Sequence, residues 1–213
     1  MYQILHTRFG PQGWWPADDG KLREWEVCVG AILTQNTNWK NVEKAIASLK
    51  EERALHPKKL SSLPITKIER LVKSSGFYRQ KAQRLKKLSE FVLSFGSLEA
   101  FAALAARQDL LSLDGIGKET ADSILLYACG KPYFVIDSYT RRIMSRIGMI
   151  TGDEDYDDIR YFFESSLPKE AKMFSEFHAL LVELAKRHCK KEPECNNCPL
   201  LKMCKFGKKT TSQ

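Results

Sequence analysis

An all-α fold is what this sequence predicts, on three observations. Apolar residues recur at helical spacing through most of the 213 residues. Strand signals are scarce, with Tyr133-Phe134-Val135-Ile136 the best β-like run. Gly and Pro clusters fall between the periodic segments rather than within them.

The elements follow in order. Gly10-Pro11-Gln12-Gly13 opens a loop that ends in Trp14-Trp15-Pro16. Leu22–Leu33, Trp39–Leu49, Arg79–Phe95 and Leu98–Ala106 are amphipathic helix candidates. Pro57 and Pro64 bound short pieces between them, and Gly130-Lys131-Pro132 closes a central helix. Asp137 is a natural N-cap for the next helix. Tyr156–Ser166 and Ala171–His188 complete the long helices, and residues 208–213 read as a frayed basic tail.

Hydrophobic residues make up 43% of the chain, enough for a core, so wholesale disorder is excluded. Lys+Arg 34 against Asp+Glu 26 gives net +8, which favours an anionic partner. No apolar run is long enough to span a bilayer, and the first residues lack the apolar core of a secretion signal. The expected location is the cytoplasm, with no membrane partner. Nothing in the pattern demands an oligomer, so a monomer is expected.

Leu113-Asp114-Gly115-Ile116-Gly117-Lys118-Glu119-Thr120-Ala121 lies between two helical patterns. Glycines at 115 and 117 permit a tight turn with positive φ and close approach of backbone N–H groups to an anion. A helix beginning near Lys118 adds first-turn N–H donors and a positive dipole end. Gly115, Ile116, Gly117 and Lys118 thus read as a phosphate clamp without base readout, an ordinary Gly-rich turn being the alternative.

Cys189, Cys195, Cys198 and Cys204 are separated by five, two and five residues. In a reducing compartment four such thiolates point to a metal centre rather than disulfides. Tetrahedral zinc and a [4Fe–4S] cluster both remain open; a single Cys-x-x-Cys pair favours the cluster over a zinc ribbon. Cys28 and Cys129 sit in apolar helical contexts and read as structural thiols.

The Leu-x-Gly-Ile-Gly-x-x-Thr-Ala hairpin, Val-Ile-Asp at 135–137 and the terminal cysteines together resemble the endonuclease III branch of the helix-hairpin-helix DNA glycosylases. Trp14-Trp15-Pro16, Gly30–Thr37, Gly76–Ala82 and Gly115–Glu119 are most similar to 3-methyladenine DNA glycosylase III. The resemblance covers most of the chain. It implies a bilobal all-α fold with a C-terminal [4Fe–4S] loop and with double-stranded DNA containing a damaged base gripped across a cleft. One lobe is then a helical barrel at 20–128, including the hairpin at about 108–128. The other combines 1–19 with 129–213, including the cluster loop at 189–204. Three departures stand out. Asp114 replaces the usual Pro, the first cysteine gap is one residue short, and Glu119 replaces the lysine of lyase-active members.

A glycosylase must extrude its nucleotide to reach the glycosidic bond. The resemblance makes Asp137 the catalytic carboxylate, a role compatible with capping. Glu119, lacking a nucleophilic amine, implies displacement by water and a monofunctional enzyme; it would face a cationic base or remain a solvated first-turn acid. Trp14, Trp15 and Trp39 are candidates for stacking on an alkylated purine, against the commoner fate of core packing. Gln35 aligns with a residue that fills the vacated stack. Tyr78, Arg79 and Lys81 read either as DNA contacts or as a solvated face. The competing expectations are a bifunctional endonuclease III on oxidised pyrimidines, a uracil or thymine mismatch glycosylase, and a non-catalytic iron–sulfur DNA-binding protein. The missing lysine at 119 argues against the first, and Asp137 against the last.

Overall fold

A computed structural model describes residues 1–18 and 20–211. Thirteen α-helices and no strand occur among them. In chain order these are α1 (Tyr2–Phe9), α2 (Arg23–Leu33), α3 (Trp39–Glu51), α4 (Pro57–Ser62), α5 (Ile65–Leu71), α6 (Tyr78–Ser94) and α7 (Leu98–Leu104). There follow α8 (Arg107–Leu111), α9 (Lys118–Tyr127), α10 (Ser138–Ile147), α11 (Tyr156–Ser166), α12 (Ala171–Arg187) and α13 (Lys205–Thr211). The chain forms two compact units, Ala17–Lys131, and Met1–Pro16 with Pro132–Gln213.

In the first unit α2 is the central helix. Trp25, Val27, Cys28, Val29, Ile32 and Leu33 are all at 0% exposure, so from Trp25 onward α2 is buried on every side, Glu26 included. It packs against α3, α6, α7 and α9. Each large side chain so enclosed favours the fold by about 1.5–3 kcal/mol relative to exposure. Around it, Asn38 and Ser97 cap α3 and α7 by accepting the N–H groups of Asn41 and Ala100, each at 3.1 Å.

A bidentate ion pair ties the two helices of the hairpin. Arg107 on α8 donates to Asp122 on α9 at 2.6 and 3.1 Å, and the Asp122 side chain is fully enclosed.

The second unit is built on α12, which packs against α1 and α10. Phe134, Phe163, Phe174 and Phe177 form its aromatic core, with Phe134 and Phe163 stacked at 4.0 Å between centroids. Residues 133–136 do not form a strand. The Phe134 N–H donates to Glu164 Oε1 at 2.9 Å and the Ile136 N–H to the Tyr156 hydroxyl at 3.3 Å. Side chains of α11 supply the acceptors that a neighbouring strand would have offered, so the buried residues Phe134, Val135 and Ile136 cross the core without a strand partner.

The basic tail is likewise more ordered than its composition suggests. It is helical from Lys205 through Thr211, and residues 212 and 213 lie outside the described part. Packing explains this: α13 rests on α10, and the Arg146 guanidinium sits 5.0 Å from the Phe206 ring centre.

Candidate active site and nucleic-acid interface

Asp137 opens α10 as its N-cap, in extended backbone, and its Oδ1 accepts the Thr140 N–H at 2.7 Å. Its Oδ2 lies 3.5 Å from Nε2 of His178 on α12, and the carboxylate is only 15% exposed. Burial alone would raise its pKa. The adjacent His178 and the hydrogen bonds from His178 and Thr140 outweigh that, and the net direction is downward. Asp137 is therefore an anion held in a largely dry place.

The same unit brings a tryptophan to His178. The Trp14 ring is 5.7 Å from His178, centre to centre, and 5.5 Å from Trp15. Three residues of one helix organise this corner. Ser175 Oγ donates to the Trp14 carbonyl at 3.2 Å, Glu176 accepts the N–H groups of Gln12 and Gly13, and His178 faces Asp137. Trp15 is buried at 7% exposure and serves the core, whereas Trp14 is half-buried. Of the two adjacent tryptophans, Trp14 is the one able to present a ring face.

In the other unit, the hairpin turn joins α8 to α9. Gly115 has φ +80, which favours glycine, and a Cβ there would sit 2.0 Å from Arg84 Nε, so the Arg84 side chain would have to move aside. Gly117 is different. It is the α9 N-cap at φ −87 and ψ 176, with nothing within 4 Å of a Cβ. The expected positive φ thus holds for Gly115 and not for Gly117. Ile116 is also narrower in role than its motif suggests: its side chain is buried and its N–H donates to Leu113 O at 3.0 Å, inside the turn. Gly117, Lys118 and Glu119 form the exposed lip, with Lys118 half-buried. Lys87 pairs with Asp114 beside it.

Gln35 follows α2 and is folded onto this hairpin. Its Nε2 donates to Gly115 O at 3.0 Å and to Thr120 Oγ1 at 2.9 Å, while its Oε1 accepts Arg84 Nη1 at 2.6 Å. Trp39, half-buried, is the first residue of α3. Lys81 corrects the expectation of a DNA contact or solvated face. It is 1% exposed and donates to Leu33 O and Ser75 O, because two helix-terminal carbonyls converge on it. Two residues that periodicity did not single out are prominent here. Phe77 is 63% exposed and adopts φ +44, in the left-handed region that a bulky side chain seldom takes. Arg84 bridges the hairpin and Gln35. The Gly before Phe77 was the only sequence signal for the first; the second carries none.

The four terminal cysteines line one cavity of about 30 Å³ together with Arg146, His188 and Phe206. Arg146 donates to Cys189 Sγ at 3.4 Å, and the Gly207 N–H to Cys204 Sγ at 3.3 Å. Arg142 and Arg146 on α10 also bind the carbonyls of Cys189, Lys190 and Lys191 at 2.6–2.9 Å. Among the described residues, no three His, Cys, Asp or Glu side chains converge as they would on a single ion. No described helix is long and apolar enough to cross a membrane.

Comparison with known proteins agrees with this architecture. The family described as HhH-GPD superfamily base excision DNA repair protein matches residues 29–169. A Methanocaldococcus jannaschii protein with the provisional name DNA repair glycosylase MJ1434 is 46% identical over 210 residues, covering 96% of this chain and 94% of its own. The crystal structure of Helicobacter pylori 3-methyladenine DNA glycosylase (MagIII), bound to 1,N6-ethenoadenine, superposes with a TM-score of 0.76 at 33% identity. That match covers 87% of this chain and 97% of the other. A non-covalent endonuclease III–DNA complex shares the fold across 100% of this chain and 95% of the other, with a TM-score of 0.85 at 23% identity. The chain belongs to the HhH-GPD superfamily of base excision DNA repair proteins, among the endonuclease III-like DNA glycosylases.

Proposed function

We propose that this DNA glycosylase is monofunctional and hydrolyses the N-glycosidic bond of an alkylated purine such as 3-methyladenine in duplex DNA. The observation that carries the reading is the corner formed by Asp137, His178 and Trp14, where His178 stands between a buried carboxylate and a half-buried indole. Alkylation at a ring nitrogen makes a purine cationic and its glycosidic bond weak. Such a base suits an aromatic wall through stacking and cation–π attraction. Trp39 is a second candidate wall, and Trp15, being buried, supports Trp14 rather than the base.

In this mechanism the C1′–N bond breaks with its electron pair going to the base, which leaves neutral and needs no general acid. Positive charge grows on the sugar, and the Asp137 carboxylate stabilises it. Water adds to C1′ and gives up a proton, for which the Asp137 carboxylate would be the acceptor. Glu119 stands where lyase-active relatives have lysine, so no amine attacks the sugar and the product is an intact abasic strand. Its exposure at the start of α9 suits a solvated acid or one facing the cationic base.

The hairpin would hold a backbone phosphate through N–H groups at Gly117 and the first turn of α9, with Gly115 shaping the turn, Ile116 anchoring it and Lys118 adding charge. Gln35 and Phe77 would fill the gap left by the extruded nucleotide, an amide and an apolar wedge respectively. Four thiols around one cavity, with N–H donors aimed at two sulfurs, fit a [4Fe–4S] cluster held by Cys189, Cys195, Cys198 and Cys204. Such a cluster supplies a structural tie between the terminal loop and α10.

The test is a panel of duplexes carrying 3-methyladenine, 7-methylguanine, hypoxanthine, uracil or thymine glycol. Release of alkylpurines, with nicking only after alkali, supports the proposal. Thymine glycol release with spontaneous nicking and a borohydride-trapped adduct overturns it.

A further inference from the structure

Lys81 stands one turn into α6, and its ammonium has no route to solvent. Its Nζ donates to Leu33 O at 2.8 Å and to Ser75 O at 2.6 Å. Leu33 is the last residue of α2, and Ser75 the last of a 3₁₀ turn, Lys73–Ser75. Terminal carbonyls lack partners within their own helices and carry the negative end of the helix dipole, so an ammonium answers both needs. Burial, with Arg84 nearby, pushes the Lys81 pKa down to about 8. An apolar residue would fill this place in the core without that penalty. The lysine therefore serves its two carbonyls.

What those carbonyls share is their sequel. Two residues after Leu33 comes Gln35; two residues after Ser75 comes Phe77. Neither loop has regular structure of its own at these positions. Gln35 is gripped at its far end by Arg84, Gly115 and Thr120. Phe77 is held in left-handed backbone at the N-cap of α6 with its ring outside the core. The 3₁₀ turn has a second anchor, Ser74 Oγ donating to Asn41 O at 3.0 Å, but this reaches α3 and not the Gln35 loop.

We propose that Lys81 is a positioning residue that locks the Gln35 and Phe77 loops to each other, so that the two side chains enter a DNA duplex as one rigid pair. The proposal rests on the reading above, that Gln35 and Phe77 occupy the space vacated by the extruded nucleotide. Lys81 touches neither DNA nor the reacting atoms. It acts through the spacing of the two loops.

The experiment compares wild type, Lys81→Met, the Gln35→Ala/Phe77→Ala double variant and the triple variant. Single-turnover release of 3-methyladenine is measured from a duplex and from the same lesion in a single strand, which has no partner stack to fill. Methionine keeps the apolar stem and removes all donors. Lys81→Met is expected to slow release from duplex by about tenfold or more, as a small misplacement of positioning groups does. Its single-strand rate should stay within about twofold, and in the double-variant background it should add less than about twofold. Lys81→Arg, which can reach both carbonyls, should restore the duplex rate.

Equal loss on both substrates, or a full multiplicative loss in the double-variant background, overturns the role of Lys81. A duplex rate unchanged by Gln35→Ala/Phe77→Ala overturns the underlying reading of those two side chains, and the proposal with it. A thermal melt checks folding of each variant; if Lys81→Met does not melt cooperatively, the same outcomes are read on Lys81→Gln, whose amide nitrogen ends one bond short of the ammonium position and so loosens the bridge between the two carbonyls while keeping a polar group there.

Discussion

Asp137 and Thr140 share one hydrogen bond, Oδ1 accepting the Thr140 N–H at 2.7 Å, and that bond turns the other oxygen of the carboxylate toward His178. A helix cap and a chemical group are thus the same side chain. The capping geometry fixes the carboxylate, and the neighbouring histidine and amide keep it ionised.

This separates stability from activity in one substitution. Asn caps a helix as well as Asp, so Asp137→Asn should change unfolding free energy at neutral pH by no more than about 1 kcal/mol. Excision should nevertheless fall by about a hundredfold or more, because the oxocarbenium-like charge loses its counter-charge. Chemical denaturation and single-turnover release measure the two effects.

The pH dependence follows from the direction of the shift. The folded pKa of Asp137 is depressed, so its stabilising contribution is fully present above the unfolded value of about 3.9. That contribution is lost as pH falls through the folded value. Unfolding curves of wild type and Asp137→Asn should converge below about pH 4 relative to their separation at neutral pH. A separation that instead grows on acidification contradicts the assigned sign.

Two glycines one residue apart should behave differently. Gly115→Ala meets both a positive φ and the Arg84 guanidinium, and should destabilise the hairpin by more than about 1 kcal/mol. Gly117→Ala has room and an ordinary backbone, so stability should change by less than about 0.5 kcal/mol. If Gly117 lies against a phosphate, that same alanine should weaken binding to duplex DNA while leaving the salt slope of binding nearly unchanged, because no charge is removed. Affinity measured over a salt series decides this.

How far these features were legible in the sequence depends on what fixes each. The helices were visible because α2, α3, α6 and α12 carry apolar residues at helical period. The run at 133–136 was ambiguous because β-branched residues buried on both sides look alike whether a strand or two side chains, Glu164 and Tyr156, complete their hydrogen bonds. Asp137 as a helix cap, Gly115 as a positive-φ turn residue and the grouping of the four cysteines were readable from spacing. Lys81, Arg84 and His178 were not. Their roles come from carbonyls, an amide and a carboxylate brought in from 33, 75, 35 and 137, and no local pattern announces such partners. Phe77 escaped for another reason: it stands alone between Gly76 and the helical pattern from Arg79, and a single apolar residue carries no period to show which way its ring points.

The ion pair Arg107–Asp122 should be strongly stabilising against single truncation. Asp122→Ala leaves the guanidinium uncompensated in a largely buried place, and should cost about 3–5 kcal/mol in urea unfolding. A loss below about 1 kcal/mol would mean that the hairpin is held by packing alone.

The terminal cysteines should hold iron and sulfide. Protein purified without oxygen is expected to be coloured, with absorbance near 400 nm, and to become more susceptible to proteolysis in the loop at 189–204 when the iron is removed, because that loop then keeps only its bonds to Arg142 and Arg146. Colourless protein containing stoichiometric zinc contradicts the cluster.

The central claim is hydrolysis of an alkylated purine by water at Asp137. It is tested most directly by single-turnover release of 3-methyladenine from duplex DNA, wild type beside Asp137→Asn, with and without alkali. Wild type is expected to release the base, with strand cleavage only after alkali, and the variant to lose both. Release undiminished in Asp137→Asn, or strand cleavage without alkali, would contradict it.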